Sequence, residues 1–169
     1  MSVSTRSSRP TLKLMLAHPA HVLALGFGSG LSPWAPGTFG TLVAIPIAHA
    51  LWAWSNDVVY LAVTIGLLFA GAWAAQRTGT ALGVADHGAI VIDEIVAFLL
   101  VLFFVGPHAG RTAFAFVLFR AFDIVKPPPI RAIDARMKTG LGVMIDDIVA
   151  AGFALVVYAL VVRLTGWPP

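Results

Sequence analysis

The sequence predicts an all-α fold, a polytopic membrane helix bundle of four to five short apolar helices with its acidic residues gathered at the cytoplasmic edge. Three observations carry this. Of 169 residues, 59% are hydrophobic and only 11% charged, and a mean hydropathy of +0.89 lies outside the soluble globular range. Apolar runs recur between short polar breaks. Seven of the eight acidic residues fall between Asp86 and Asp147, some of them inside those runs.

The apolar segments are Thr41–Trp54, Val58–Ala75, Ile90–Val105, Thr112–Asp123 and Val143–Val162. Only the last approaches the ~20 residues that a bilayer core requires, so the others gain length from their flanks or stop short of spanning. Asn56-Asp57 joins the first two and "GPHAG" (106–110) joins the third and fourth, which makes neighbours antiparallel hairpins. With five crossings, the N-terminus through Gly40, residues 76–89 and residues 124–142 share one side. That side carries Arg6, Arg9, Lys13, Arg77, Arg120, Lys126, Arg131, Arg136 and Lys138, against Arg111 and Arg163 opposite, so it is expected to be cytoplasmic. Residues 1–25 then form a basic cytoplasmic segment, 26–163 a single membrane domain and 164–169 a tail. The basic start followed by apolar residues has the outline of a signal peptide, but His18, Pro19 and His21 interrupt its apolar core.

Composition also excludes. Without cysteine there is no disulfide, no thiolate zinc site and no cysteine nucleophile. The net charge of +3 does not come from a basic block interleaved with aromatics, so nucleic acid is not an expected partner; the lipid bilayer and its anionic head groups are.

Two stretches pose the chemical question: "VIDEIVAFLL" (91–100) sets Asp93 and Glu94 in an apolar run, and "MIDDIVAAGF" (144–153) sets Asp146 and Asp147 in nearly the same frame. In the five-crossing topology both segments run the same way, so the two pairs face one compartment at one depth. Acids in a first helical turn offset the macrodipole for ~0.3–1 kcal/mol each, and one would suffice. Each acid near the membrane centre costs ~2.5–3.5 kcal/mol, less toward the interface. Four in two matching pairs therefore call for a compensating partner, and a divalent cation is favoured over capping alone. Adjacent helical residues point about 100° apart, so each pair can aim one carboxylate at a shared site. Carboxylate ligation without sulfur suits Mg²⁺ or Mn²⁺, and Mg²⁺ usually shares its shell with phosphate oxygens.

"FRAFDIVKPPPIRAID" spaces Arg120 and Asp123 by i, i+3 and puts Lys126 at a helix end before Pro127, Pro128 and Pro129. This is either an ion pair with a snorkelling lysine or a phosphate clamp, and the nearby carboxylates favour the clamp. "GFGSGLSPWAPGTFGT" (26–41) lacks the Lys-Ser/Thr ending of a P-loop. Its glycines allow backbone amides to approach a phosphate, with Ser32 and Thr38 as hydroxyl donors, or the loop simply turns the chain into the bilayer. His87, in "ADHGAIVIDE", is either a general acid or a hydrogen-bonded bystander.

These four stretches, in this order, resemble the phosphatidylglycerophosphatase A family over about Gly26 to Gly152. The resemblance implies a small bacterial inner-membrane phosphatase that requires Mg²⁺ and converts phosphatidylglycerophosphate to phosphatidylglycerol. It implies that Asp86, Asp93, Glu94, Asp123, Asp134, Asp146 and Asp147 include the metal and catalytic acids, with Arg120 and Lys126 near the phosphate. Combined with the reading of the residues, the expected site has Asp93, Glu94, Asp146 and Asp147 on the metal, Asp86, Asp123, Asp134 and His87 in catalysis, and Ser32 and Thr38 beside Arg120 and Lys126 on the phosphate. Two positions depart from the family pattern: Thr139 stands where a second glycine is expected before "GLG", and His87 where proline often follows the aspartate. Without cysteine or a "DxDxT" start, the expected chemistry is attack of water on a phosphomonoester. A CDP-alcohol phosphotransferase would need an aspartate spacing that "DARMKTGLGVMIDD" does not supply. An ion transporter would place its acids near mid-membrane between broken helices.

Overall fold

The computed structural model describes residues 9–128, 130 and 139–167. Every regular element among them is helical. Two short helices, α1 (Leu12–Leu16) and α2 (Pro19–Ala24), and a 3-10 segment (Gly26–Leu31) precede α3 (Pro36–Trp54), α4 (Asp57–Leu82), α5 (Ile92–Val105), α6 (Ala109–Val125) and α7 (Gly140–Thr165). The five long helices coincide with the five apolar segments of the sequence, four of them extended at their ends and α5 starting two residues later, at Ile92. Three are long and apolar enough to cross a membrane: α3 with 19 residues, and α4 and α7 with 26 each. Helix α5 has 14 residues and α6 has 17. At 1.5 Å per residue α5 is about 21 Å long, well short of the ~30 Å hydrocarbon core.

Polar residues mark the helix ends. The side chain of Asn56 accepts a hydrogen bond from the Val59 N–H at 3.0 Å to start α4, and Gly83, at φ 71°, ends that helix. Thr139 starts α7 in the same way, accepting from the Gly142 N–H at 3.2 Å.

Helix α5 occupies the centre. Ten of its residues are buried, among them Ile95, Val96, Phe98, Leu99 and Leu102, and it packs against α3, α4, α6 and α7. Its apolar character on every side is what an enclosed helix requires. The Tyr60 hydroxyl of α4 donates to the Leu99 carbonyl at 2.9 Å, a buried polar tie between two otherwise apolar faces. Large apolar side chains such as Phe69, Phe104, Val117, Val156 and Leu160 point outward, as a surface solvated by lipid tails would.

The chain before α3 folds over the start of α5. The Val91 N–H donates to the Ala24 carbonyl at 2.9 Å, and His21 Nδ1 shares a 2.9 Å hydrogen bond with Thr78 Oγ1 of α4. Burial, with His18 and Arg77 nearby, holds the His21 imidazole below its ordinary pKa and so favours its neutral form. Residues 12–24, part of the stretch 1–25 read from the sequence as a basic cytoplasmic segment, are thus packed onto the bundle.

The start of α7 is pressed onto α4 at Gly140. A Cβ there would overlap the Ala72 carbonyl and the Gln76 backbone, so only glycine permits this approach. The Gly140 N–H donates to Gln76 Oε1 at 2.7 Å, which satisfies one of the amides that a helix start leaves open. We expect Gly140→Ala to destabilise the protein by about 1–3 kcal/mol, the usual cost of overpacking. Gly152→Ala, where an added Cβ meets nothing within 4 Å, should leave stability unchanged or raise it. Thermal unfolding in detergent compares the two, and equal melting temperatures for both variants would contradict the close approach.

Candidate active site

The first turn of α5 supplies Asp93 and Glu94, and the second turn of α7 supplies Asp147. One carboxylate oxygen from each lies within 4.8 Å of the others. Asp93 is only 8% exposed and Asp147 3%. Asp93 Oδ1, Glu94 Oε2 and Asp147 Oδ2 are buried without a hydrogen-bond partner among the described residues. Three carboxylates this close repel one another in a low-dielectric setting, and their open oxygens cannot satisfy one another without protons. The donor set is all oxygen and acidic, and it fits a hard divalent cation.

Arg120, near the end of α6, leans over this cluster. Its Nη1 donates to Asp123 Oδ2, lies 3.6 Å from Glu94 Oε1 and reaches Thr41 Oγ1 on α3 at 3.5 Å. Asp123 is itself buried and within electrostatic range of Glu94 and Asp147. Asp146 faces elsewhere than Asp147, as neighbours on a helix must. Its Oδ2 accepts from Lys126 Nζ at 2.5 Å. Lys126 ends α6 at φ 44°, a left-handed conformation uncommon for a side-chain-bearing residue, and this turn carries its ammonium toward α7.

Among the described residues, the remaining sequence candidates are not members of the three-acid cluster. Asp86 is exposed on the α4–α5 loop, close enough to Asp93 to interact electrostatically. His87 Nδ1 accepts from the Ala89 N–H at 3.1 Å, a local turn contact. His87 and Ser32 line a small separate cavity of about 140 Å³, and the Ser32 hydroxyl donates to the Trp34 carbonyl. Thr38 is half-buried in the first turn of α3. Asp134 lies outside the described residues, as do Arg131, Arg136 and Lys138.

Two participants were not singled out from the sequence. Gly37 abuts the cluster: a Cβ on it would overlap Glu94 Oε1 and stand 3.1 Å from two nitrogens of Arg120. Thr41 accepts from Arg120 while donating to the Gly37 carbonyl at 2.9 Å. The only sequence signal for either was the glycine-rich stretch itself. Gly37 serves close packing against the acid-arginine pair.

Fold and site together define a helical membrane protein whose acids converge, beside an arginine, at one end of its bundle. The family model for phosphatidylglycerophosphatase A matches residues 22–162. A phosphatidylglycerophosphatase A of Haemophilus influenzae is 40% identical over 151 residues, covering 89% of this chain and 93% of that protein. That of Escherichia coli is 41% identical over 143 residues, covering 82% and 80%. A provisionally named phosphatidylinositol-3-phosphatase of Bacteroides thetaiotaomicron is 39% identical over 147 residues, covering 82% and 91%. No solved structure matches. The chain belongs to the phosphatidylglycerophosphatase A family.

The contacts of Arg120 give a stability prediction. Arg120→Ala leaves Glu94 and Asp123 buried beside each other without their cation, which should cost about 3–5 kcal/mol and lower the folded yield. Adding Asp123→Ala to Arg120→Ala should recover much of that loss, because one stranded charge goes with it. A double variant no more stable than the single one, by thermal unfolding in detergent, would refute this account of the pair.

Proposed function

We propose that this chain hydrolyses the phosphomonoester of phosphatidylglycerophosphate, giving phosphatidylglycerol and inorganic phosphate, at the cytoplasmic edge of a bacterial inner membrane. The observation that carries the reading is the convergence of Asp93, Glu94 and Asp147, each with an unpartnered buried oxygen, beside Arg120. Family membership supports the reaction class, and the distribution of basic residues supports the sidedness.

Asp93, Glu94 and Asp147 would hold the Mg²⁺, with Asp146 adjoining through its pairing with Lys126. When bound, such a cation supplies Lewis acidity toward the phosphoryl group and makes water a better nucleophile at neutral pH. The rest falls to this chain's own groups. Arg120 spends Nη1 on Asp123, Glu94 and Thr41, whereas its buried Nε has no partner among the described residues and is available to a phosphoryl oxygen. Asp123, held by Arg120 and close to Asp147, is placed to take a proton from the attacking water. The water oxygen bonds to phosphorus, the bond from phosphorus to the glycerol oxygen breaks, that oxygen takes a proton from solvent, and Asp123 returns the proton it accepted to solvent. Lys126 balances Asp146 and keeps a second cation near the departing phosphate.

Phosphate release by the purified protein tests this, with phosphatidylglycerophosphate and phosphatidylinositol-3-phosphate compared, since one relative carries the latter name. We expect release from phosphatidylglycerophosphate with Mg²⁺ and loss of activity after chelation. Asp93→Asn and Asp147→Asn should each cut turnover more than ~10²-fold while the protein stays folded, since each removes a charge and keeps the side-chain size. Mg²⁺ should also raise the melting temperature of the chelated wild type but not of these variants. Full turnover in chelator would refute the metal role, and preference for the inositol lipid would refute the head-group assignment.

A further inference from the structure

Helices α3 and α6 both bring residues to the site, yet below it they do not close on each other. They flank a groove of about 540 Å³. Arg120 Nη1 and Thr41 Oγ1, 3.5 Å apart, bridge the two helices next to it in sequence, one residue before Leu42 and three after Val117 of its lining. The helices are antiparallel, so successive turns away from the bridge pair Ile45 with Phe116 and then His49 with Thr112, and all four line the groove. The eight-position separation of Arg120 and Thr112 corresponds to about 12 Å of helix. Between head and far end the lining is apolar, and Ala113 leaves it open to the outside.

We propose that this groove seats one acyl chain of the lipid phosphomonoester while Arg120 holds its phosphate. The inference rests on the phosphatase reading above and adds to it the place of the tail. Continuity carries the argument: Thr41, which the guanidinium reaches, directly precedes Leu42 of the groove lining, and Arg120 follows Val117 of that lining by three positions. A tail leaving a phosphate-anchored glycerol on this side has an apolar track directly beneath it. Seating it adds little transfer energy, because lipid tails are already in apolar surroundings. The gain is orientation: one fixed chain limits how the phosphoryl group can swing relative to Asp123 and the acid cluster. The groove between Phe104 of α5 and Leu155 and Val156 of α7 has comparable volume, about 590 Å³, but its lining on α7 begins at Leu155, eight positions or about 12 Å of helix past Asp147, and runs away from the site to Arg163.

Two measurements test this. Ala113→Trp fills the groove from an exposed position on α6 without touching the core. It should lower kcat/KM about tenfold for a dipalmitoyl phosphatidylglycerophosphate and leave that for a dihexanoyl analogue within about twofold. Val156→Trp, in the α7 groove, should change neither. The second readout uses wild-type protein: a phosphatidylglycerophosphate with a photoreactive group in one acyl chain should label α3 and α6 peptides more strongly than the phosphate-free phosphatidylglycerol with the same group. Equal effects of Ala113→Trp on long and short chains, or no effect on either, would overturn the proposal. So would equal labelling by the two lipids, which marks bulk lipid only. A wild type inactive on both chain lengths would instead refute the phosphatase reading, and selective labelling would still decide the groove.

Discussion

The electrostatic cost of bringing Asp93, Glu94 and Asp147 to one buried point constrains everything around it. An unpaired buried carboxylate costs several kcal/mol, and a whole domain is stable by only about 5–15 kcal/mol. The α5 dipole offsets ~0.3–1 kcal/mol for each acid in its first turn, too little to balance the cluster. Arg120 neutralises the Glu94–Asp123 side and Lys126 neutralises Asp146. Asp93 and Asp147 are left facing each other and Glu94, and that residual negative charge is what suits the centre to a cation and to a phosphate brought in with it.

Holding three such groups together requires the first turn of α5 and the first two turns of α7 to be fixed to better than the length of a side chain. Small residues and caps do this. Gly140 lets α7 settle against the α4 backbone, and Gln76 takes its first free amide. Gly37 lets α3 approach Glu94 and Arg120 from the other side. The tie between Val91 and Ala24 fixes the start of α5 under the N-terminal helices. The polar site thus stands on apolar packing that tolerates almost no added volume.

The bundle and its acids were legible in the sequence because apolar runs are local signals and charges inside them stand out. The paired frames of Asp93-Glu94 and Asp146-Asp147, with Arg120 and Asp123 at i, i+3, pointed to one site. The division of labour within the second pair was not legible. It depends on the left-handed turn at Lys126, which decides which of two adjacent acids meets the ammonium. Gln76 and Gly140 are 64 positions apart, and Gly37 meets Glu94 across a comparable gap, so no local pattern announces either contact. Helix lengths were underread for a related reason: α4 continues through Gln76, Arg77 and Thr80, polar residues that extend the helix beyond its apolar run.

The shortness of α5 bears on how a lipid-hydrolysing centre can work at all. Its acidic end stops beneath the cover of α2 and the 3-10 segment rather than at an open surface. A head group that comes down to such a recessed end leaves its chains at their resting depth. Drawing a lipid outward instead would expose methylenes to water at about 0.8 kcal/mol each, soon exceeding what a few ionic contacts return. For the reaction proposed above, a truncated central helix would favour descent of the head group over extraction of the lipid.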